Sequence, residues 1–512
     1  MRKGRSVVLE EDHTLILGWS DTIFTVLAEL DIANESQRKP SAVVLADRDK
    51  VEMDDLIREK VRPKRTRIVT RSGSPIDLGH LAVVRAELAR SIVVLSPEDD
   101  PEPDAQVIKT ILALTKGESH SDHRYHVVAE IQDPSHLDAA HLVGGEEVVL
   151  IDKRETIAKL VVHSARQSGA SLAVIELLDF KGDEVYFNED PALVGGQFGD
   201  ALLAYEDCSA IGVLDGEGKV QLNPPPSRPF AAGEKVIAIA ADDAHLAAAA
   251  PSQGQVEEEA VVGGPPTPRK PERILVLGWN QGAPAVIHEF DQFLLPGSAI
   301  VVVSEDEAAD ACLRGQPVAN ATLSLEAGNP SERDRLAAIG LAGFDHVIVL
   351  SQEGVEAQRA DARTLVTLLH LRDLADREGA GFTVVSEMVD DRNRQLAEVT
   401  RVDDVIVSDK IISLMLTQIS ENRELAQVFG ELFSASGGEL YLRPAGDYVA
   451  GDREVEYATV VEAARRRSEC AVGYRVAAAG EAAGFGVRIN PPKSERVRLG
   501  AGDRVIVVAA GQ

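Results

Sequence analysis

Leu15-Ile16-Leu17-Gly18-Trp19 and Leu275-Val276-Leu277-Gly278-Trp279 are the two stretches that decide the fold. Each is a short apolar run that stops at a glycine and is followed by a helical pattern. A continuous apolar strand of this length suits a parallel sheet covered on both faces. Trp19 and Trp279 are the only tryptophans in 512 residues, and they stand 260 positions apart at the same place in the same pattern. The repeat extends outward from there in unchanged order. Gly73-Ser74-Pro75 answers Gly328-Asn329-Pro330, Val93-Val94-Leu95-Ser96 answers Ile348-Val349-Leu350-Ser351, and Asp152-Lys153 answers Asp409-Lys410. Near the ends, Cys208-Ser209-Ala210-Ile211-Gly212 pairs with Cys470-Ala471-Val472-Gly473, and Asn223-Pro224-Pro225 with Asn490-Pro491-Pro492. The chain therefore reads as two copies of one unit.

Each copy predicts six strands alternating with helices. In the first they are 15–17, 42–46, 67–70, 92–95, 126–129 and 148–151; in the second, 274–277, 300–303, 322–325, 347–350, 383–386 and 404–407. That alternation predicts an α/β fold with a Rossmann-like, doubly wound parallel sheet. After Asp152 and Asp409 a helix leads into short strands, turns and proline pairs, which predicts a small α+β lobe. The expected organisation is a first Rossmann-like lobe over 1–152 and its small lobe over 153–250. A flexible acidic linker follows over 251–271, then a second Rossmann-like lobe over 272–409 and its small lobe over 410–512.

Composition narrows the function. Lys plus Arg is 53 and Asp plus Glu is 83, a net charge of −30, which argues against nucleic acid as the main partner. Three cysteines, Cys208, Cys312 and Cys470, make no disulfide framework and point to a reducing compartment. No apolar run approaches the roughly 20 residues a membrane helix needs.

A Rossmann turn takes a diphosphate through G-x-G-x-x-G. Here the first glycine is kept as Gly18 and Gly278, the second place holds Ser20 or Asn280, and the third Ile23 or Ala283; Gly282 adds room in the second copy. Side chains there crowd the approach of a diphosphate, and Asp21 adds negative charge, so NAD(H) or an adenine nucleotide is doubtful. Asp47 and Glu305 hold the place of a ribose-binding acid, although acids are common at helix starts. Five carboxylates crowd residues 98–104, Asp99 and Asp100 among them, where either a cation site or a helix-capping loop fits. Glu130 and Glu387 end the fifth strands, and Asp152 and Asp409 end the sixth; a site between lobes and ordinary capping are both open readings. His120, His123 and His126 with Asp122 match no strong zinc spacing. Arg62, Lys64, Arg65, Arg67 and Arg71 form a basic run that reads as a solvated face. No catalytic constellation appears, and the chain reads as a non-enzyme.

A duplicated Rossmann lobe plus small lobe without catalytic residues resembles the RCK domains, regulators of potassium conductance. More closely, the chain resembles the cytosolic tandem RCK region of castor/pollux-type ion channels. The residues carrying this are Arg2 to Glu10, His13 to Ser20 with its Gly-Trp turn, Ile32-Ala33-Asn34-Glu35, Arg71 to Pro75 and Ile151-Asp152. The resemblance implies a homotetrameric gating ring at the inner face of a membrane, pulling on pore helices supplied by the same gene product or a separate subunit. It implies Ca²⁺ as a ligand, with Asp152 and Asp409 at the place where related potassium-uptake regulators bind a cation. The basic start Arg2-Lys3-Arg5 fits a position just inside a membrane segment. Two alternatives are a separate regulatory subunit of a Trk/Ktr-type potassium transporter and an NAD-dependent oxidoreductase. The oxidoreductase lacks both an intact phosphate turn and a catalytic acid or base.

Overall fold

A computed structural model describes residues 6–97, 100–116, 124–247, 249–263, 269–434, 437–451, 453–477 and 486–510. Strands β1 (His13–Leu17), β2 (Ser41–Ala46), β3 (Arg67–Ser72), β4 (Ala89–Val94), β5 (Val127–Ile131) and β6 (Val148–Asp152) form a parallel sheet in the order β3-β2-β1-β4-β5-β6. The chain then makes β7 (Glu184–Asn188), β8 (Ser209–Leu214), β9 (Val220–Leu222) and β10 (Lys235–Ala240), an antiparallel sheet in the order β7-β10-β8-β9. The second copy repeats both. Strands β11 (Arg273–Leu277), β12 (Ser298–Ser304), β13 (Ala321–Ala327), β14 (His346–Val349), β15 (Thr383–Met388) and β16 (Asp404–Val407) stand in the order β13-β12-β11-β14-β15-β16. Then come β17 (Gly438–Pro444), β18 (Glu454–Glu456), β19 (Cys470–Arg475), β20 (Val487–Ile489), β21 (Arg496–Arg498) and β22 (Arg504–Ala510), with β17-β22-β19-β20 as the second antiparallel sheet. The two parallel sheets are Rossmann-like and each is followed by an α+β lobe, as the repeat predicts. Central strands β1 and β11 are buried along their apolar residues, so they carry no polar alternation.

The chain does not divide at its repeat boundary. One compact unit holds residues 1–156, 178–181 and 408–426, and the other holds the remainder. The cause is a pair of helices buried on nearly every side, which cannot be satisfied by a single partner. Helix Ser408–Glu421 has an unbroken buried run from Ile411 to Ser420, and in the first unit it packs on helix Thr22–Ala33 and on β4 and β5. Helix Lys153–Arg166 does the reciprocal thing in the second unit. Its His163 ring meets Phe293 edge-on at 5.5 Å, Arg166 lies 4.7 Å over the same ring, and the Ala165 carbonyl accepts the Thr383 hydroxyl at 2.6 Å.

The small lobes of the second unit are tied by the duplicated Asn-Pro-Pro motif. Asn223 donates to the Ser468 carbonyl at 2.9 Å and accepts from the Cys470 thiol at 3.2 Å. Asn490 donates to the Asp207 carbonyl at 2.8 Å and accepts from the Ser209 hydroxyl at 2.8 Å. Both asparagines are left-handed, with φ of 43° and 49°, a conformation asparagine tolerates better than most residues. Beside them Lys493 is fully buried and donates to the Cys208 carbonyl at 3.0 Å; burial holds its ammonium down to about 8.

The segment expected to be a flexible linker is held in place over 251–263: Ser252 donates to the Ala204 carbonyl and Gln253 to Glu206 in the first small lobe, and the stretch from Gln255 on lies along the second. Ala260 is fully buried, its carbonyl accepts from Ala450, and Val262 donates to the Tyr448 carbonyl. Glu257 and Glu258 pair with Arg453, Arg496 and Arg466. Charge pairing and backbone hydrogen bonds dock a stretch whose composition alone cannot build a core.

Candidate ligand crevice and the duplicated carboxylate clamps

The second parallel sheet opens a crevice of about 330 Å³ at the carboxyl ends of β11, β12 and β14. This is the usual ligand position of such a sheet. Trp279, Glu305, Asn329, Ser331, Glu353 and Arg363 line it. Gly278 makes the turn at φ +96°, and a Cβ there would sit 3.0 Å from the Leu350 carbonyl oxygen; Gly18 is alike, at φ +98° and 2.7 Å from the Leu95 oxygen. Only glycine fits both the conformation and the approach.

The amides that would meet a phosphate are already engaged. Gly282 donates to Asn280 Oδ1 at 3.0 Å, and Gln281 donates to Glu353 at 3.2 Å. Asn280 is held by donating to Glu387 at 2.8 Å and to the Ser351 carbonyl at 3.1 Å. Glu387 also accepts from the Ser351 amide at 3.2 Å, and in the first copy Glu130 accepts from Ser96 at 3.2 Å. These two acids therefore brace the crossover turns. In the first copy Ser20 is buried and hydrogen-bonds Thr22.

The other expected site residues are spread out. Asp47 is exposed, and helix Lys50–Lys60 is capped by Asp49 instead. Glu305 faces Arg363 at 3.4 Å, and the cap of the next helix is Asp306. Asp152 accepts from the Glu155 amide at 2.9 Å, and Asp409 accepts the Lys153 ammonium at 2.6 Å, both in the first unit. Asp100 accepts from Glu102 and Gln106. Asp99, His120, Asp122 and His123 lie outside the described residues. His126 is depressed to about 4 by burial and by Arg423, with Arg90 also nearby. Among the described residues no three His, Cys, Asp or Glu side chains converge as a metal would require.

Sequence reading noted Asp104 only as one of a crowded acidic loop and passed over the other heavily used carboxylates. Asp31 accepts the backbone amides of Lys64, Arg65 and Thr66, and Asp291 those of Ala319, Asn320 and Ala321. Asp104 accepts from Gln132 and Asp133 and meets His136, and Asp361 accepts from Val389, Asp390 and Asn393. The signal was present, because each pair recurs at the corresponding place of the two copies, 260 residues apart for Asp31 and Asp291 and 257 for Asp104 and Asp361. Buried amide clamps account for part of the acidic excess.

The whole chain can now be set beside known proteins. It is 34% identical to the probable ion channel CASTOR of Oryza sativa subsp. japonica, over 99% of this chain and 61% of that one. It is 31% identical to the probable ion channel POLLUX of Arabidopsis thaliana, over 100% of this chain and 66% of that one. The chain is related to the Castor and Pollux family over its full length. The family segment described as "Castor and Pollux, part of voltage-gated ion channel" matches residues 154–257, the first crossover helix and small lobe. The chain spans about three-fifths to two-thirds of these Castor and Pollux relatives. In fold it is similar to the human SLO3 gating ring, with a TM-score of 0.69 at 12% identity, covering 98% of this chain and 99% of that one. The chain is thus built as two tandem units, each a Rossmann-like parallel sheet followed by a small α+β lobe. Among its described residues no helix is long and apolar enough to cross a membrane.

Proposed function

We propose that this chain is the cytosolic, ligand-sensing gating-ring part of a cation channel of potassium or calcium type, joined to pore helices at the inner face of a membrane. The observation that carries the reading is the agreement of both copies together, nearly end to end, with a gating ring. The surface supports a ring. Helices Pro103–Lys116 and Leu137–Gly144 pack on each other and expose Leu112 (45%) and Leu142 (84%). The corresponding helices of the second copy expose Leu369 (55%) and Val399 (81%). Apolar side chains left in water at equivalent places in both copies mark a surface that is covered on assembly. The ring is a homotetramer, and light scattering of the whole chain is the test. Leu142→Glu with Val399→Glu should reduce the tetramer to smaller species while the thermal midpoint stays within a few degrees. A wild-type monomer, or a variant that remains tetrameric, would reject this assembly.

The regulating ligand in this reading is Ca²⁺, with Asp152 and Asp409 as its contacts. Lys153 occupies Asp409, so a cation has to displace an ammonium, and the response is expected nearer millimolar than micromolar Ca²⁺. Asp152→Asn with Asp409→Asn should abolish any Ca²⁺-driven change in solution mass or binding heat. An unaltered titration would sink the assignment.

A further inference from the structure

The two copies serve as each other's control, and they differ sharply at one edge. Strand β3 is the outer strand of the first sheet, and β13 is its counterpart. The loop before each is built identically, with Asp31 or Asp291 taking three backbone amides. Sheet register aligns Ile68 with Leu323. Arg62, Lys64, Arg65, Arg67 and Arg71 then stand where the second copy has Pro317, Ala319, Asn320, Thr322 and Glu326. The second copy adopts the same fold without any of these cations, and they occur in a chain of net charge −30.

Two of them, Arg62 and Arg67, border a groove of about 600 Å³ that Lys50 and Arg58 also wall and that Ile68 and Val69 floor. Its one acid, Asp54, is already shared by Lys50 and Thr70. Arg58 pairs with Asp55 at 2.9 Å and Arg67 with Glu10 at 3.1 Å. Arg62 and Lys64 are exposed, and their side chains pair with nothing among the described residues. Arg62 is also held at φ 51° just past helix Lys50–Lys60, where glycine or asparagine is the unstrained choice. A strained, unpaired guanidinium beside three more cations fits a ligand that brings concentrated negative charge.

We propose that this groove binds a soluble small molecule carrying several phosphate groups. The phosphates sit between Arg58, Arg62 and Arg67, while Ile68 and Val69 supply the floor.

The test is calorimetric titration of the whole chain with inositol hexakisphosphate at low and at physiological salt. Saturable binding that weakens with salt is expected. Arg62→Glu with Arg67→Glu, both exposed, should weaken it at least about tenfold. Arg314→Glu, on the matching helix of the second copy, should leave it unchanged. No binding at millimolar ligand, or equal loss in the Arg314 variant, would overturn the proposal. Sedimentation with vesicles of neutral lipid, with and without phosphatidylinositol bisphosphate, separates the source. Pelleting only with the charged vesicles, not competed by the soluble phosphate, would overturn a free ligand.

Discussion

Asp361→Ala is expected to lower the stability of the second unit by about 3 kcal/mol, the largest loss foreseen for one side chain. Asp361 is fully buried and accepts from Val389 at 2.9 Å, Asp390 at 3.0 Å and the Asn393 amide at 2.8 Å. Alanine would strand the Val389 and Asp390 amides and leave the Asn393 amide only Gln358 at 3.3 Å, and each stranded donor costs on the order of 1 kcal/mol or more. Asp390 in turn accepts from Arg392, and helix Arg394–Val399 follows directly. Loss of the clamp should therefore loosen the helix that presents Val399 and weaken assembly along with stability. Asp104→Ala should behave alike, since Asp104 holds Gln132 and Asp133 at 2.9 Å each. Denaturant melts read the effect. A loss below about 0.5 kcal/mol would show that water reaches these amides and that the clamp is dispensable.

Stability is expected to fall as pH rises through about 7, because two buried glutamates resist ionising. Glu439 is fully buried, and burial pushes its carboxyl up to about 7. The Tyr441 hydrogen bond and Arg166 oppose the rise, Glu289 adds to it, and Arg443 opposes it. Glu29 is raised to about 7 by burial and by Asp179, against Lys181, the Phe180 amide and Lys410. A carboxyl raised above its unfolded value contributes stability that is complete below about pH 4.5 and lost as pH passes through 7. A shift of this size corresponds to about 3 kcal/mol for each group. Half-buried His126 and buried His163, both held down to about 4, act from the other side, since stability is lost as pH falls from 6.5 toward 4. The two pairs oppose each other between about pH 4.5 and 6.5, so stability should be near level there and fall as pH passes through 7. Glu439→Gln should flatten the alkaline side and raise the midpoint at pH 8, and thermal melts across pH 5 to 8 decide it. An unchanged slope in Glu29→Gln and Glu439→Gln alike would show that neither carboxyl titrates in this range.

The glutamates also show where sequence reading stops. Glu29 and Glu289 occupy the same place in the two copies, yet nothing in their neighbours along the chain marks them as buried. Their surroundings come from helices and strands distant in sequence. The acids at strand ends were visible as candidates, but their partners were not. Glu387 braces Asn280 across 107 residues, and Asp409 meets Lys153 across 256. The notable cations of the first copy were visible as a run, and only the register of β3 against β13 showed that the second copy adopts the same fold without them.

The amino-acid sequence by itself determined the duplication, the two parallel sheets with their strand positions and the Gly-Trp turns. Those features rest on local apolar periodicity and on one backbone conformation that only glycine adopts there without strain. Tertiary structure alone decided that residues 408–426 belong with the first sheet, while the helix beyond residue 156 belongs to the second unit. A helix buried on all sides declares that it needs two partners but not which ones, and packing between distant segments makes that choice.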